Sequence, residues 1–115
     1  MKTPLQEAET VVKEGPANMQ RGIEMVGGRL CLTSQRLIFE SHMINIQTGV
    51  TIVDLTDVAG ATPGWTKFFN LIPLVPNAVC VDIHSGQEMR LTVFGRSQWI
   101  DAIEQAVLAL RTGSS

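Results

Sequence analysis

Nowhere in its 115 residues does this chain set three lysines or arginines in a row, and its formal net charge is -2. The electrostatic footprint of a nucleic-acid binder is therefore missing. Cysteine is scarce: Cys31 and Cys80 are the two present, too few for a disulfide framework. Each falls inside an expected strand, where a small apolar residue packs well, so both are read as free, reduced thiols. The segment Met1 to Glu9 has no apolar h-region, and the longest charge-free apolar stretch, Phe68 to Val81, is interrupted by Asn70, Pro73, Pro76 and Asn77. No signal peptide or transmembrane span is expected. The expected location is cytoplasmic, with peripheral contact to the inner membrane face as the alternative.

Catalytic signatures are equally thin. His42 and His84 are the two histidines, and nucleophilic catalysis needs a serine or cysteine beside a base that is itself held by a third group. Ser34 and Ser41 lie in or beside turns, and neither a Gly-x-Ser-x-Gly elbow nor a phosphate-cradling glycine loop is present. Asp54 and Asp57 read as surface charges rather than an acid–base dyad. Cys80, Asp82 and His84 alternate onto one strand face, but side chains two apart on a strand are about 7 Å apart, too wide for three to share one zinc without a bulge. No metal, cofactor or catalytic residue is expected, and a small enzyme is the reading that the residues support least.

What is present is alternation. From Gly27 to Phe39, Leu30 and Leu32 point one way, as do Leu37 and Phe39, with Arg29, Cys31, Thr33 and Arg36 interleaved. That pattern writes two half-buried strands joined by a polar turn at Thr33-Ser34-Gln35. Further strands are expected near Glu9–Glu14, Gly22–Val26, Val50–Leu55, Ala78–His84 and Gln87–Phe94. Gly27-Gly28 and Ser85-Gly86 are expected to make tight hairpin turns, and Gly15-Pro16-Ala17-Asn18 another turn. In the last hairpin Val79, Val81 and Ile83 should face Leu91 and Val93. The period changes at Ser97. Trp99, Ile100, Ile103, Val107 and Leu110 fall on one stripe of a helix from Gln98 to Arg111, capped by Ser97 and ended by Gly113. The length fits one domain, spanning 8–112, with flexible termini at 1–7 and 113–115. The fold class is mainly β with one C-terminal helix that closes a small barrel or sandwich.

Gly15 to Asn18, Gly22-Ile23-Glu24, Val26 to Leu32, the run Thr33 to His42, Asn45-Ile46-Gln47, Ile72-Pro73, Pro76-Asn77 and Gly95-Arg96 with Trp99-Ile100 together carry a resemblance. In that order they resemble the bacterial branch of the GRAM domain family, over roughly residues 8 to 105. The chain departs from the family between Ala61 and Leu74, where Pro63-Gly64-Trp65-Thr66-Lys67-Phe68-Phe69 is unusually apolar. The resemblance implies a pleckstrin-homology-like fold: two near-orthogonal antiparallel sheets forming a partly open, seven-stranded barrel plugged by the helix. It implies no catalytic residues, and it implies binding of lipid head groups or of proteins.

Two features could carry binding. The stretch from Gly64 to Pro76 holds one Trp, two Phe and four aliphatic residues with a single charge, and its prolines exclude a long helix or a central strand. It reads either as a lid folded onto the core or as a contact surface made by Trp65, Lys67, Phe68, Phe69, Leu71, Ile72 and Leu74. The second feature is a set of scattered cations, of which Arg21, Arg29 and Arg36 are candidate head-group contacts if hairpin ends bring them together. Glu14, Glu24 and Glu40 interleave with them, which favours a solvated mixed-charge surface. Arg36 and Arg96 match family motif positions, and for them a structural pairing with an acidic residue is the competing reading. The expected function is a non-enzymatic binding module for a protein partner or a second copy of itself, with an anionic lipid surface as the alternative.

Overall fold

The computed structural model describes residues 3–21, 24–41, 49–68 and 72–112. β1 (Val11–Arg21), β2 (Glu24–Thr33), β3 (Arg36–Ser41) and β4 (Val50–Asp54) follow one another as an antiparallel meander. A single 3-10 turn, Leu55–Asp57, leads into β5 (Val58–Phe68), which pairs with β6 (Ile72–Ile83), and β6 pairs with β7 (Glu88–Val93). Helix α1 (Arg96–Arg111) ends the fold. The seven strands are joined in the order β4-β3-β2-β1-β7-β6-β5, so the sheet is not closed, and β4 and β5 are its edges. β1 is the strand shared by both halves. It pairs with β2 along its whole length but with β7 only through Ala17–Met19.

The alternation read from the sequence fills the interior. Leu30, Leu32, Leu37 and Phe39 are fully buried, and Val79, Val81, Leu91 and Val93 meet them from the other half. Each such side chain contributes about 1.5–3 kcal/mol by leaving water. Trp99, Ile103 and Val107 seat α1 on this core, with Ile100 and Leu110 packed beside them. Lys13 lies over the Trp99 ring, 5.1 Å from its centroid, so the indole is held from both its core side and its solvent side.

Several local expectations change. Gly27-Gly28 is not a turn: β2 is one strand, and these residues pair with Asn18 and Ala17 of β1. The glycine serves close packing instead, since a Cβ on Gly28 would lie 2.8 Å from the Phe39 ring and closer still to the Glu40 carbonyl. Gly15 to Asn18 is likewise strand rather than turn. Pro16 is tolerated there because it precedes the short stretch where β7 joins β1, so its missing N–H costs no ladder bond on that side. Ser97 lies inside α1; the N-cap is Gly95, in the left-handed region at φ 70°, where a glycine carries no Cβ penalty. At the other end Thr112 is the C-cap, and Gly113 lies outside the described residues.

Residues 3–10, before β1, make hydrogen bonds to the rest of the fold. Thr3 donates from its backbone N–H to Glu40 Oε2 (2.7 Å), and the Gln35 side-chain amide donates to the Glu7 carbonyl (2.9 Å). Glu9 is buried, and Ala8 before it adopts a left-handed φ of 61° that turns the chain inward.

Candidate functional site

Within the apolar stretch from Gly64 to Pro76, the described residues 64–68 and 72–76 extend the ladder between β5 and β6. Its backbone pairs Thr66 with Val75, Lys67 with Pro73 and Phe68 with Ile72. β7 pairs with β6 only from Ala78 to Asp82, so beyond Ala78 the ladder is a two-stranded arm among the described residues. This explains how Pro73 and Pro76 fit a strand that is central elsewhere: where they stand, β6 has a neighbour on one side only. Trp65, Lys67, Phe68, Ile72 and Leu74 all fall on this arm, while Phe69 and Leu71 lie outside the described residues. Bulges at Gly64–Thr66 and Thr66–Lys67 interrupt the register, which bends and twists such a ribbon.

The three candidate cations do not converge. Arg21 pairs with Glu24 at one end of β2, and Arg36 follows Thr33 at the other. A ten-residue strand spans about 30 Å between them. Arg29 is half-exposed, with Glu14 3.4 Å away. Arg36 is buried and turned inward: Nε donates to Glu9 Oε2 (2.8 Å), and Nη2 donates to Glu9 Oε1 (2.6 Å) and to the Pro4 carbonyl (3.0 Å). A guanidinium committed to this bidentate pair has no donor fork to offer an outside phosphate. Arg36 is therefore a structural pin, and the head-group role expected for it does not fit its surroundings.

Thr33 completes the pin. Its hydroxyl donates to Glu9 Oε2 and accepts from the backbone N–H groups of Gln35 and Arg36. The Arg36 guanidinium, above all through its hydrogen bonds, holds the Glu9 carboxyl at about 2, well below 4.5, and Glu9 in turn raises the Arg36 pKa. No sequence spacing points to Glu9, which lies 27 residues from its partner. Its signal is only in the fold.

Both cysteines are buried and neither forms a disulfide, and burial pushes the Cys31 thiol up. Among the described residues no three His, Cys, Asp or Glu side chains come close enough to hold a metal ion. Cys80 and Asp82 stand on β6 and His84 in the turn just after it, and His42 lies outside the described residues. No helix among them is long and apolar enough to cross a membrane.

Two recesses flank α1. One of about 570 Å³ lies between its Ala102, Ala106 and Ala109 side and the segment around Ala8, Thr10 and Val12. The other, about 240 Å³, separates Ile103, Glu104, Val107, Leu108 and Arg111 from residues 58–61 of the edge strand β5. The second has no signal in the sequence, because β5 lacks the alternation of a half-buried strand.

No protein-family model and no curated protein matches the sequence. Solved structures do match. The Vps36 N-terminal PH domain aligns with a TM-score of 0.71 at 19% identity, covering 95% of this chain and 86% of that one. The C-terminal domain of an unknown protein from Leishmania infantum aligns with a TM-score of 0.71 at 19% identity, over 87% and 85% of the two chains. The C-terminal PH domain of human pleckstrin 2 gives 0.70 at 15% identity, over 92% of each. With its open seven-stranded antiparallel sheet and single C-terminal helix, the chain has a pleckstrin-homology-like fold.

Proposed function

We propose that this chain is a GRAM-type member of the pleckstrin-homology-like fold and acts as a non-enzymatic binding module, engaging a protein partner or a second copy of itself through the β5–β6 arm. One observation carries the reading: the most apolar stretch of the sequence is drawn out on a two-stranded ladder past the end of β7. A two-stranded ribbon is at best marginally stable in water by itself, and apolar residues gathered on one are seldom left without a partner surface. Lys67 is the arm's single charge, which makes the docking surface predominantly apolar and weakens the case for an anionic membrane. Arg21, Arg29 and Arg36, being far apart, add little to that case.

The test is the double substitution Phe68→Ser/Phe69→Ser, followed by sedimentation, liposome co-sedimentation and thermal unfolding on one preparation. Docking through the arm predicts loss of self-association or partner capture, with stability changed by no more than about 0.5 kcal/mol. Loss of binding to anionic liposomes in place of protein association would move the assignment to a lipid surface. A fall of several kcal/mol in stability with association intact would make the arm a lid on the core and defeat the proposal.

A further inference from the structure

The larger recess beside α1 is a slot with neutral walls. Its volume is about 570 Å³, within the range of about 300–1,000 Å³ in which small molecules are held. One wall is the side of the helix that carries Ala102, Ala106 and Ala109, and from Ala102 to Leu110 it runs about 12 Å. These alanines stop at Cβ, so the helix does not fill the gap. The other wall is made by Ala8, Thr10 and Val12, with Ser34 and Gln35 of the β2–β3 turn. That wall is already fixed. The Ser34 N–H donates to the Thr10 carbonyl (2.8 Å), the Thr10 N–H donates to Ser34 Oγ (3.0 Å), and Gln35 Nε2 donates to the Glu7 carbonyl (2.9 Å). A molecule entering the slot therefore meets an ordered surface and has little chain to immobilise.

The polar groups of the slot have hydrogen-bonding capacity to spare. Ser34 Oγ accepts from Thr10, and among the described residues its hydroxyl hydrogen donates to no protein group. Gln35 commits its Nε2 and keeps Oε1 as an acceptor. Gln105, on the helical wall, has no partner for its side-chain amide among the described residues. No ionisable side chain lines the slot, and the neighbouring Glu9 carboxylate is turned into Arg36. A charged group would give up its hydration there with no opposite charge to replace it. A carboxamide brings one acceptor and one donor, the complement of the Ser34 hydroxyl and Gln35 Oε1. We propose that this slot binds a small neutral molecule with an elongated apolar body and a carboxamide end. The body lies along the alanines of α1, and the carboxamide exchanges hydrogen bonds with Ser34 and Gln35. The slot is on the other flank of α1 from β5 and apart from the arm, so it stands or falls independently of docking through the arm.

The probe is octanamide, followed by backbone amide shifts in isotope-labelled protein. Saturable shifts are expected at residues 8–12, 34–35 and 102–110, and none along the arm. Octanoate and octylammonium, with the same chain length, should bind at least about tenfold more weakly. Ser34→Ala should weaken octanamide about fivefold. Ala109→Phe, at an exposed position, puts a ring into the slot and should abolish the shifts with an unchanged thermal midpoint; Ala106→Leu repeats that test from a second position. Phe68→Ser/Phe69→Ser should leave binding intact. Absent or unsaturable shifts, shifts centred elsewhere, equal affinity for the three probes, or binding that persists in Ala109→Phe would overturn the assignment.

Discussion

Two regions of the sheet are built on opposite terms. Around the start of β3 the chain is pinned by a buried Glu9–Arg36–Thr33 network that ties residues 3–10 to the β2–β3 turn. Around β5 the chain is Ala59-Gly60-Ala61 and then Pro63-Gly64, small residues with an open backbone edge and register shifts on either side. The first region spends buried polar groups on fixing one conformation; the second keeps its backbone groups available. One region is fixed by buried polar groups, while the other is an edge strand with a single strand neighbour among the described residues.

The largest effects should come from breaking the pin. Glu9→Ala leaves the buried Arg36 without its partner, and a loss of about 3–5 kcal/mol is expected in urea unfolding. Removing the half-exposed Glu14 from Arg29 should cost no more than about 1 kcal/mol by the same measurement. Similar unfolding midpoints for the two variants would erase the distinction between a pinned region and an ordinary surface. Trp99→Ala should cost about 3–5 kcal/mol because it removes the ring that seats α1, and an unchanged midpoint would mean that the helix is not held there.

Acid sharpens the comparison further. Glu9 titrates at about 2 in the folded protein against 4.5 in its absence, so it binds more protons unfolded than folded between those values. Its contribution, roughly 3 kcal/mol, is complete above about pH 4.5 and is lost as pH falls toward 2. A stability profile measured from pH 6 to 2 should steepen below 4.5 in the parent and be flatter in Glu9→Gln. Gly28→Ala is a smaller perturbation, about 1–3 kcal/mol from overpacking against Phe39 and the Glu40 carbonyl. Smallest of all is Gly60→Leu, for which thermal melting should show no measurable change despite the size of the side chain added.

The pinned half was also the more legible in the sequence, though not in its pin. Leu30, Leu32, Leu37 and Phe39 announce two strands because alternation with polar neighbours is the direct image of a half-buried sheet, and Trp99, Ile103 and Val107 announce α1 by their helical step. β5 stayed hidden because Ala59, Gly60, Pro63 and Gly64 are poor strand formers, and because its place in the sheet comes from pairing with β6 rather than from local preference. Gly27-Gly28 suggested a turn by composition, whereas the long-range approach of β3 is what requires the glycine. Arg36 was visible as a cation of two possible roles, and the fold decides between them by delivering Glu9. Of the candidate contact surface, the composition of residues 64–76 was legible, but its form as a drawn-out hairpin was not, since the prolines argued against strand until β7 was seen to stop short.

The stacking of Lys13 on Trp99 has an optical consequence. The chain has two tryptophans and no tyrosine, and they stand in different worlds: Trp99 in the core beneath a cation, Trp65 on the arm. Trp65→Phe leaves a single emitter whose colour and yield follow the release of α1 from the sheet, while Trp99→Phe leaves one at a backbone position on the arm. The release of α1 can thus be followed by intrinsic fluorescence, without any label.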